Sequence, residues 1–283
     1  MLIIDTHAHL FSEDEQRYPP RPNPSRPPKG TGTLEHLRRE AKAAGVQVAC
    51  AIQVGGFYRF DNRYICDASK ANPDFLAGVI TLDPDDRHSP LLLAQFVREF
   101  GIRGMRSVPA SDGRLDHPGV RALWATAADN GVVINLLTRA EHADEADRLL
   151  AEFPSLAVAL DHSLGLQTGP DVDDTLAALA RLSKHKNLAT KLSCIGNGPE
   201  GCADGYPCRS FHSAIMQVIE LFGAERCAWG AHFPLERYSP RLTYEEHVRI
   251  YREDLPLSDG QRRAVLGETA RRLWFPDLEL DDA

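Results

Sequence analysis

The chain has 283 residues, 43% of them hydrophobic and 25% charged, with a formal net charge of -8. That composition supplies one substantial core rather than a disordered chain, and the acidic balance excludes nucleic acid or an anionic membrane as the main partner, because those surfaces attract an excess of Lys and Arg. No apolar run approaches the roughly 20 residues that span a bilayer and no leader pattern opens the chain, so a cytoplasmic location is expected.

An apolar run, Leu2 to Ile4, leads into Asp5-Thr6-His7-Ala8-His9. Read as the end of a buried strand, alternation puts Asp5, His7 and His9 on one side and Thr6 and Ala8 on the other. Two imidazoles one strand step apart can grip an ion or a substrate oxygen, and can equally be satisfied by backbone groups. The proline-laden stretch 17–29 reads as a loop or lid over the first strand's end, since proline lacks a donor and fixes φ. Thr33 can cap a helix that runs to Ala44 and stops at Gly45. Residues 46–54 read as a strand, followed by Gly55-Gly56 and a loop carrying Tyr58 and Arg59.

The alternation then repeats. Helices are predicted over 61–71, 89–100, 118–130, 140–152, 171–184 and 211–222, interleaved with strands over 75–82, 102–108, 132–137, 156–162, 188–195 and 227–233. Helices over 244–255 and 259–274 close the chain. Strands alternating with helices of this length demand right-handed crossovers and a parallel sheet, and eight strands close a (β/α)8 TIM barrel. One α/β domain over 1–283 is expected, with C-terminal helices at 242–275. An open doubly wound sheet would want a glycine-rich phosphate loop after the first strand, and none is present. The six cysteines are unevenly spaced in a chain too large to need staples, so reduced thiols are expected. Cys194, Cys202 and Cys208 cluster without the Cys-x-x-Cys spacing of a zinc knot.

A barrel carries its site at the carboxyl ends of its strands. Those positions are His7 and His9, then Gln53, Asp83, Arg106, Asn135, His162, Lys191 with Ser193, and His232. Four imidazoles and two cations would converge on one mouth. Simpler roles exist for some: Asp83 and Asp161 as turn or helix caps, Asn135 as a satisfied core amide.

These stretches carry a resemblance. Asp5 to His9, Gly101 to Arg106, Leu160 to Gly165, Asn187 to Ser193, Trp229 to Pro234 and Leu266 to Ala270 together resemble the amidohydrolase superfamily, in particular its branch of sugar lactonases and pyrone-dicarboxylate hydrolase. The resemblance implies a barrel enzyme on a small-molecule substrate, with the first-strand histidines and His162 holding substrate or a metal, and Arg106 gripping a carboxylate. Lys191 would stabilise an oxyanion or pair with Asp5. Gln53, Tyr58, Arg59, Asn135, Tyr206 and Arg209 are the further candidates for substrate contact, together with Glu236, Arg237 and Tyr238 after the last strand.

One departure stands out. The family's last strand usually ends Trp-Gly-Ser-Asp-Phe-Pro, its aspartate taking the proton from the attacking water, whereas here Ala231-His232 stands in place of Ser-Asp. Histidine can serve as a base or ligate a metal, but not both through one nitrogen. A divalent ion such as Zn²⁺ on His7, His9 and His162 is one option; a fourth histidine would fill its tetrahedral shell and leave no place for water. Packed histidines without metal depress one another's pKa and keep a neutral base available, which favours metal-independent chemistry. The expected function is opening of a lactone or related cyclic ester of a carboxylated, oxygen-rich substrate, with His7, His9, His162, His232 and Lys191 as catalytic candidates. A lyase or isomerase (decarboxylase or dehydratase) on the same barrel, or a retired ligand-binding member, is the alternative.

Overall fold

The computed structural model describes residues 1–198 and 201–279. Its sheet is eight parallel strands in chain order: β1 (Ile4–His9), β2 (Val48–Ile52), β3 (Leu76–Thr81), β4 (Gly104–Ser107), β5 (Val133–Leu136), β6 (Val158–Leu160), β7 (Leu188–Leu192) and β8 (Cys227–Trp229). Helices lie between them, giving the (β/α)8 barrel that the alternation predicts. Closure comes just beyond β8. Ala8 bridges to Phe233, the His9 N–H donates to the Phe233 carbonyl (2.8 Å), and the Phe233 N–H donates to that of His7 (3.1 Å).

The first strand differs from the expectation in a way that matters. It continues through His9, and its pairing with β2 slips between Asp5 and Ala8: Asp5 opposes Ala49 while Ala8 opposes Ala51. Three steps on one strand match two on the other, so β1 carries a bulge. A bulge re-aims the side chains that follow it. Ile4 packs inside the barrel with Val48, Cys50, Ala77 and Val79, whereas Ala8 packs in the layer between barrel and helices. Asp5 is therefore off the face that carries His7 and His9, which corrects the simple alternation. Its Oδ1 accepts from the backbone N–H groups of His7 and Ala231 (both 2.9 Å), and its Oδ2 accepts from the Tyr244 hydroxyl (2.9 Å).

Elsewhere period two holds and sorts the interior into layers. The lower layer is small and apolar: Ala159, Ala189, Val133 and Ala228, floored by Trp274. One strand step further come Asp161, Lys191 and Asn135, all fully buried. The strands that begin apolar thus end in ionisable groups.

Several boundaries move. Short helices follow the strand ends at Gly55–Tyr58, His162–Gly165 and Leu235–Tyr238. The closing helices include wider turns at Ile250–Asp254 and Ala264–Glu268. The stretch 17–29 has neither helix nor strand and lies on the Gly55–Tyr58 turn, with Arg21 and Ser25 N–H groups donating to Phe57 and Gly56 carbonyls. Cys202 and Cys208 form a disulfide, which corrects the expectation of six free thiols; a turn through Gly205 at φ 73° brings them to a Cα separation of 4.8 Å. The remaining four cysteines are free and buried. Among the described residues no helix is long and apolar enough to cross a membrane.

The Asp5 carboxylate staples β1 to the loop after β8, so Asp5→Ala leaves buried donors on Ala231 and Tyr244 without partners. The expected cost is about 3 kcal/mol, read as a lower midpoint in urea unfolding with the slope unchanged. An unchanged midpoint would contradict the staple.

Candidate active site

Two of the strand-end histidines sit on strained backbone. His162 has φ 54° and His232 φ 58°, both in the left-handed region that non-glycine residues rarely occupy. Such strain costs of order 1–3 kcal/mol and persists where the surroundings dictate it, commonly at functional sites. The consequence is that both rings turn toward one cavity of about 530 Å³. Its walls include Thr138, Arg139, Asn197, Arg237 and Tyr238.

The four imidazoles are packed against one another. Ring centroids are 4.2 Å apart for His162 and His232, 4.3 Å for His7 and His162, 5.0 Å for His7 and His9, and 5.1 Å for His7 and His232. Hydrogen bonds fix their tautomers. His9 Nδ1 lies 2.9 Å from the Ile52 carbonyl and His162 Nδ1 2.9 Å from that of Ser193. A carbonyl only accepts, so each Nδ1 carries the proton and each Nε2 is a bare lone pair. His232 Nδ1 is 2.8 Å from the side-chain oxygen of Asn197, and its ring stacks on Tyr238 at 4.1 Å and 13°.

Behind the rings lies a buried ionic group. Asp161 Oδ1 is 3.0 Å from Lys191 Nζ and 3.5 Å from His7 Nδ1, while Oδ2 accepts from Arg106 Nε at 3.0 Å. Arg106 Nη2 donates to His7 Nε2 at 2.8 Å. Burial alone would raise the Asp161 carboxyl, but Lys191, Arg106 and His7 outweigh it and hold the group well below the usual carboxylate range. Burial pushes His7 and His232 well below the ordinary imidazole value, reinforced by the neighbouring histidines. Burial does the same to His9, with Arg106 adding to it, and lowers His162 to about 4 against the pull of Asp161. At neutral pH the site thus holds uncharged imidazoles beside two cations and one carboxylate.

The candidates read from the sequence divide accordingly. His7, His9, His162, His232 and Arg106 come together; of these His162 and His232 line the cavity, and His7, His9 and Arg106 stand behind them. Lys191 is fully buried and pairs with Asp161 rather than Asp5, leaving it away from the cavity wall. Gln53 donates to the Arg59 and Asp61 carbonyls, and the Tyr58 hydroxyl accepts from the Ser12 N–H at 2.8 Å within an aromatic cluster. Asn135 is an interior amide donating to the Val133 carbonyl. The Tyr206 hydroxyl donates to Asp254 at 2.5 Å, and Arg59 and Arg209 are exposed. None of these six lines the cavity. Asp83 sits in a turn, accepting from the Asp85 N–H and the Ser89 hydroxyl. Glu236 faces His36 at 3.5 Å, whereas Arg237 and Tyr238 reach the cavity. Asp161, the centre of the ionic group, is readable in the sequence as the residue one strand step beyond Ala159. Asn197, Thr138 and Arg139 lie in loops without periodicity and had no such signal.

His7, His162 and His232 each bring one ring nitrogen to within 4.8 Å of the others, and could form a metal site. His9 is not in that group. The fit is incomplete, because His7 Nε2 already accepts from Arg106, and a dication there would face Arg106 and Lys191 against the single carboxylate of Asp161.

Residues 4–275 match the family model described as Amidohydrolase. A curated relative, L-fucono-1,5-lactonase of Burkholderia ambifaria, is 22% identical over 182 residues, 62% of this chain and 61% of that protein. The chain thus spans about three-fifths of that relative's length. Among solved structures, a candidate 2-pyrone-4,6-dicarboxylic acid hydrolase of Pseudomonas putida is 25% identical with a TM-score of 0.79, over 98% of this chain and 99% of that one. A Burkholderia multivorans amidohydrolase with bound zinc is 19% identical with a TM-score of 0.76, over 97% and 99%.

The neutral histidines make stability depend on pH. Their folded pKa values lie below the unfolded value near 6.5, so below that pH the unfolded chain binds more protons and stability falls; for His162 the loss runs down to about pH 4. Its share is about 3 kcal/mol. Urea unfolding at pH 7 and pH 4.5 should show this drop, and His162→Gln should shrink it. A pH-independent midpoint would contradict the assignment.

Proposed function

The chain belongs to the amidohydrolase family, and within it we propose that this member hydrolyses the ring ester of a small, carboxylated, hydroxyl-bearing lactone, without a metal ion, using His232 as the base. The observation that carries this reading is the convergence of His162 and His232 on a cavity lined by Arg139 and Arg237 and backed by Arg106. A cavity of that size suits a small ligand. Its cations suit a carboxylate, and bare imidazole nitrogens accept protons from hydroxyl groups or water.

In the proposed reaction a water molecule attacks the lactone carbonyl while His232 Nε2 takes its proton. The carbon–oxygen bond to water forms, the ring carbon–oxygen bond breaks, and the departing alkoxide recovers the proton from His232. Arg106, which stands behind the cavity rings, is the group we assign to polarise the carbonyl: its Nε and Nη2 are engaged by Asp161 and His7, which fixes the guanidinium plane. His162, with a bare Nε2 at the cavity wall, suits acceptance from a substrate hydroxyl rather than donation to the carbonyl, and His9 stands behind the wall against the His7 and His232 rings. The relatives named for lactone and pyrone hydrolysis support the same class of reaction.

The test is a panel of carboxylated lactones assayed for acid release, alongside aromatic acids assayed for carbon dioxide. Ring opening is expected, with His232→Ala lowering kcat by about 10²- to 10⁴-fold. Metal-stripped enzyme should retain its rate. Full turnover by His232→Ala would remove the base from the mechanism, loss of activity on chelation with recovery on adding Zn²⁺ would overturn the metal-free reading, and carbon dioxide release would reassign the enzyme as a decarboxylase.

A further inference from the structure

We propose that Asn197 is the positioning residue that allows a histidine to serve at position 232, by holding the ring proton on Nδ1 and so directing a bare Nε2 into the cavity. The inference rests on the reading of His232 as proton acceptor. An aspartate needs no such device, because both carboxylate oxygens accept; an imidazole has one donor and one acceptor nitrogen, and only one tautomer works.

The geometry leaves Asn197 one orientation. Its Nδ2 donates to the Ser193 carbonyl at 3.1 Å, so the oxygen is the atom that faces His232 Nδ1 at 2.8 Å. The same oxygen accepts from the buried Ser239 hydroxyl at 3.2 Å. With Oδ1 unable to donate, the proton between Asn197 and His232 belongs to the imidazole. The Ser193 carbonyl also accepts from His162 Nδ1, so a single chain of bonds, His232 to Asn197 to Ser193 to His162, anchors both cavity rings through Nδ1. Tyr238, stacked on His232, sets the plane of the ring while Asn197 sets its tautomer. Asn197 comes from the loop after β7 and Tyr238 from the end of the short helix Leu235–Tyr238, so both supports lie outside the strands.

The test reads the tautomer directly and needs no substrate: nitrogen NMR of the full-length protein with ¹⁵N-labelled histidine at neutral pH, His232 being assigned from its loss in His232→Ala. The wild type should show His232 protonated at Nδ1 and bare at Nε2. Asn197→Leu should shift the ring toward the Nε2–H form, Asn197→Asp should retain the original signature because an acceptor oxygen remains, and Tyr238→Phe should leave it unchanged. A wild-type ring protonated at Nε2 overturns the inference even where a variant fails to fold, and so does an unchanged tautomer in folded Asn197→Leu. On the substrate, kcat should fall about 10- to 100-fold in Asn197→Leu with KM little changed and recovery in Asn197→Asp. A protein that passes the NMR test yet opens no lactone would sink the proposed reaction and leave the positioning role standing.

Discussion

Two backbone hydrogen bonds, between His7 and His9 on one side and Phe233 on the other, are the constraint on which the site depends. They are the seam at which the barrel closes, and they join the beginning of the chain to a segment near its end. A ring of eight strands has no free edge only once this seam is made. Because His232 immediately precedes the seam residue and His7 and His9 are its partners, closing the barrel brings these three imidazoles together. Gly230 shows how tight the join is: a Cβ there would lie 2.9 Å from the Cβ of His7 and the hydroxyl oxygen of Thr6.

The electrostatics follow from that packing. Four imidazoles in mutual contact cannot share the interior as cations, and burial keeps them neutral. Asp161 takes the opposite path and remains ionised, since Lys191 and Arg106 supply compensating charge in the same layer. Two cations over one carboxylate leave a positive site, suited to an anionic substrate and unfavourable to a dication. A buried ion cluster of this kind contributes little net stability once desolvation is counted. Its value here is positional, for it fixes the Arg106 plane and, through Arg106, the ring of His7.

Much of this was legible in the sequence because two periodicities carry it. The helix and strand alternation specifies the barrel, and the period of two along β6 and β7 places Asp161 and Lys191 above Ala159 and Ala189. What periodicity could not supply lies where the chain departs from it. The bulge after Asp5 turned that carboxylate away from the histidines and toward Tyr244. β6 ends at Leu160 and β8 at Trp229, short of the strands expected over 156–162 and 227–233, and the chain beyond them turns left-handed at His162 and His232. Tyr58 and Gln53 follow the second strand as candidates should, yet local turns spend their polar atoms on the backbone. Asn197 lies in a glycine-rich loop whose course no pattern predicts, and the pairing of Cys202 with Cys208 depends on that same loop. Loop geometry is the common cause of these differences.

Whether the cavity is built around an imidazole at position 232 is decided by the exchange His232→Asp, measured as the rate of carboxylated lactone opening beside the wild type. A large loss of activity is expected, because the new carboxylate would be shorter and would face the accepting oxygen of Asn197 across a distance now spanned by an N–H donor. A variant as fast as the wild type, or faster, would contradict it and mark the histidine as a substitute that the surrounding residues merely tolerate.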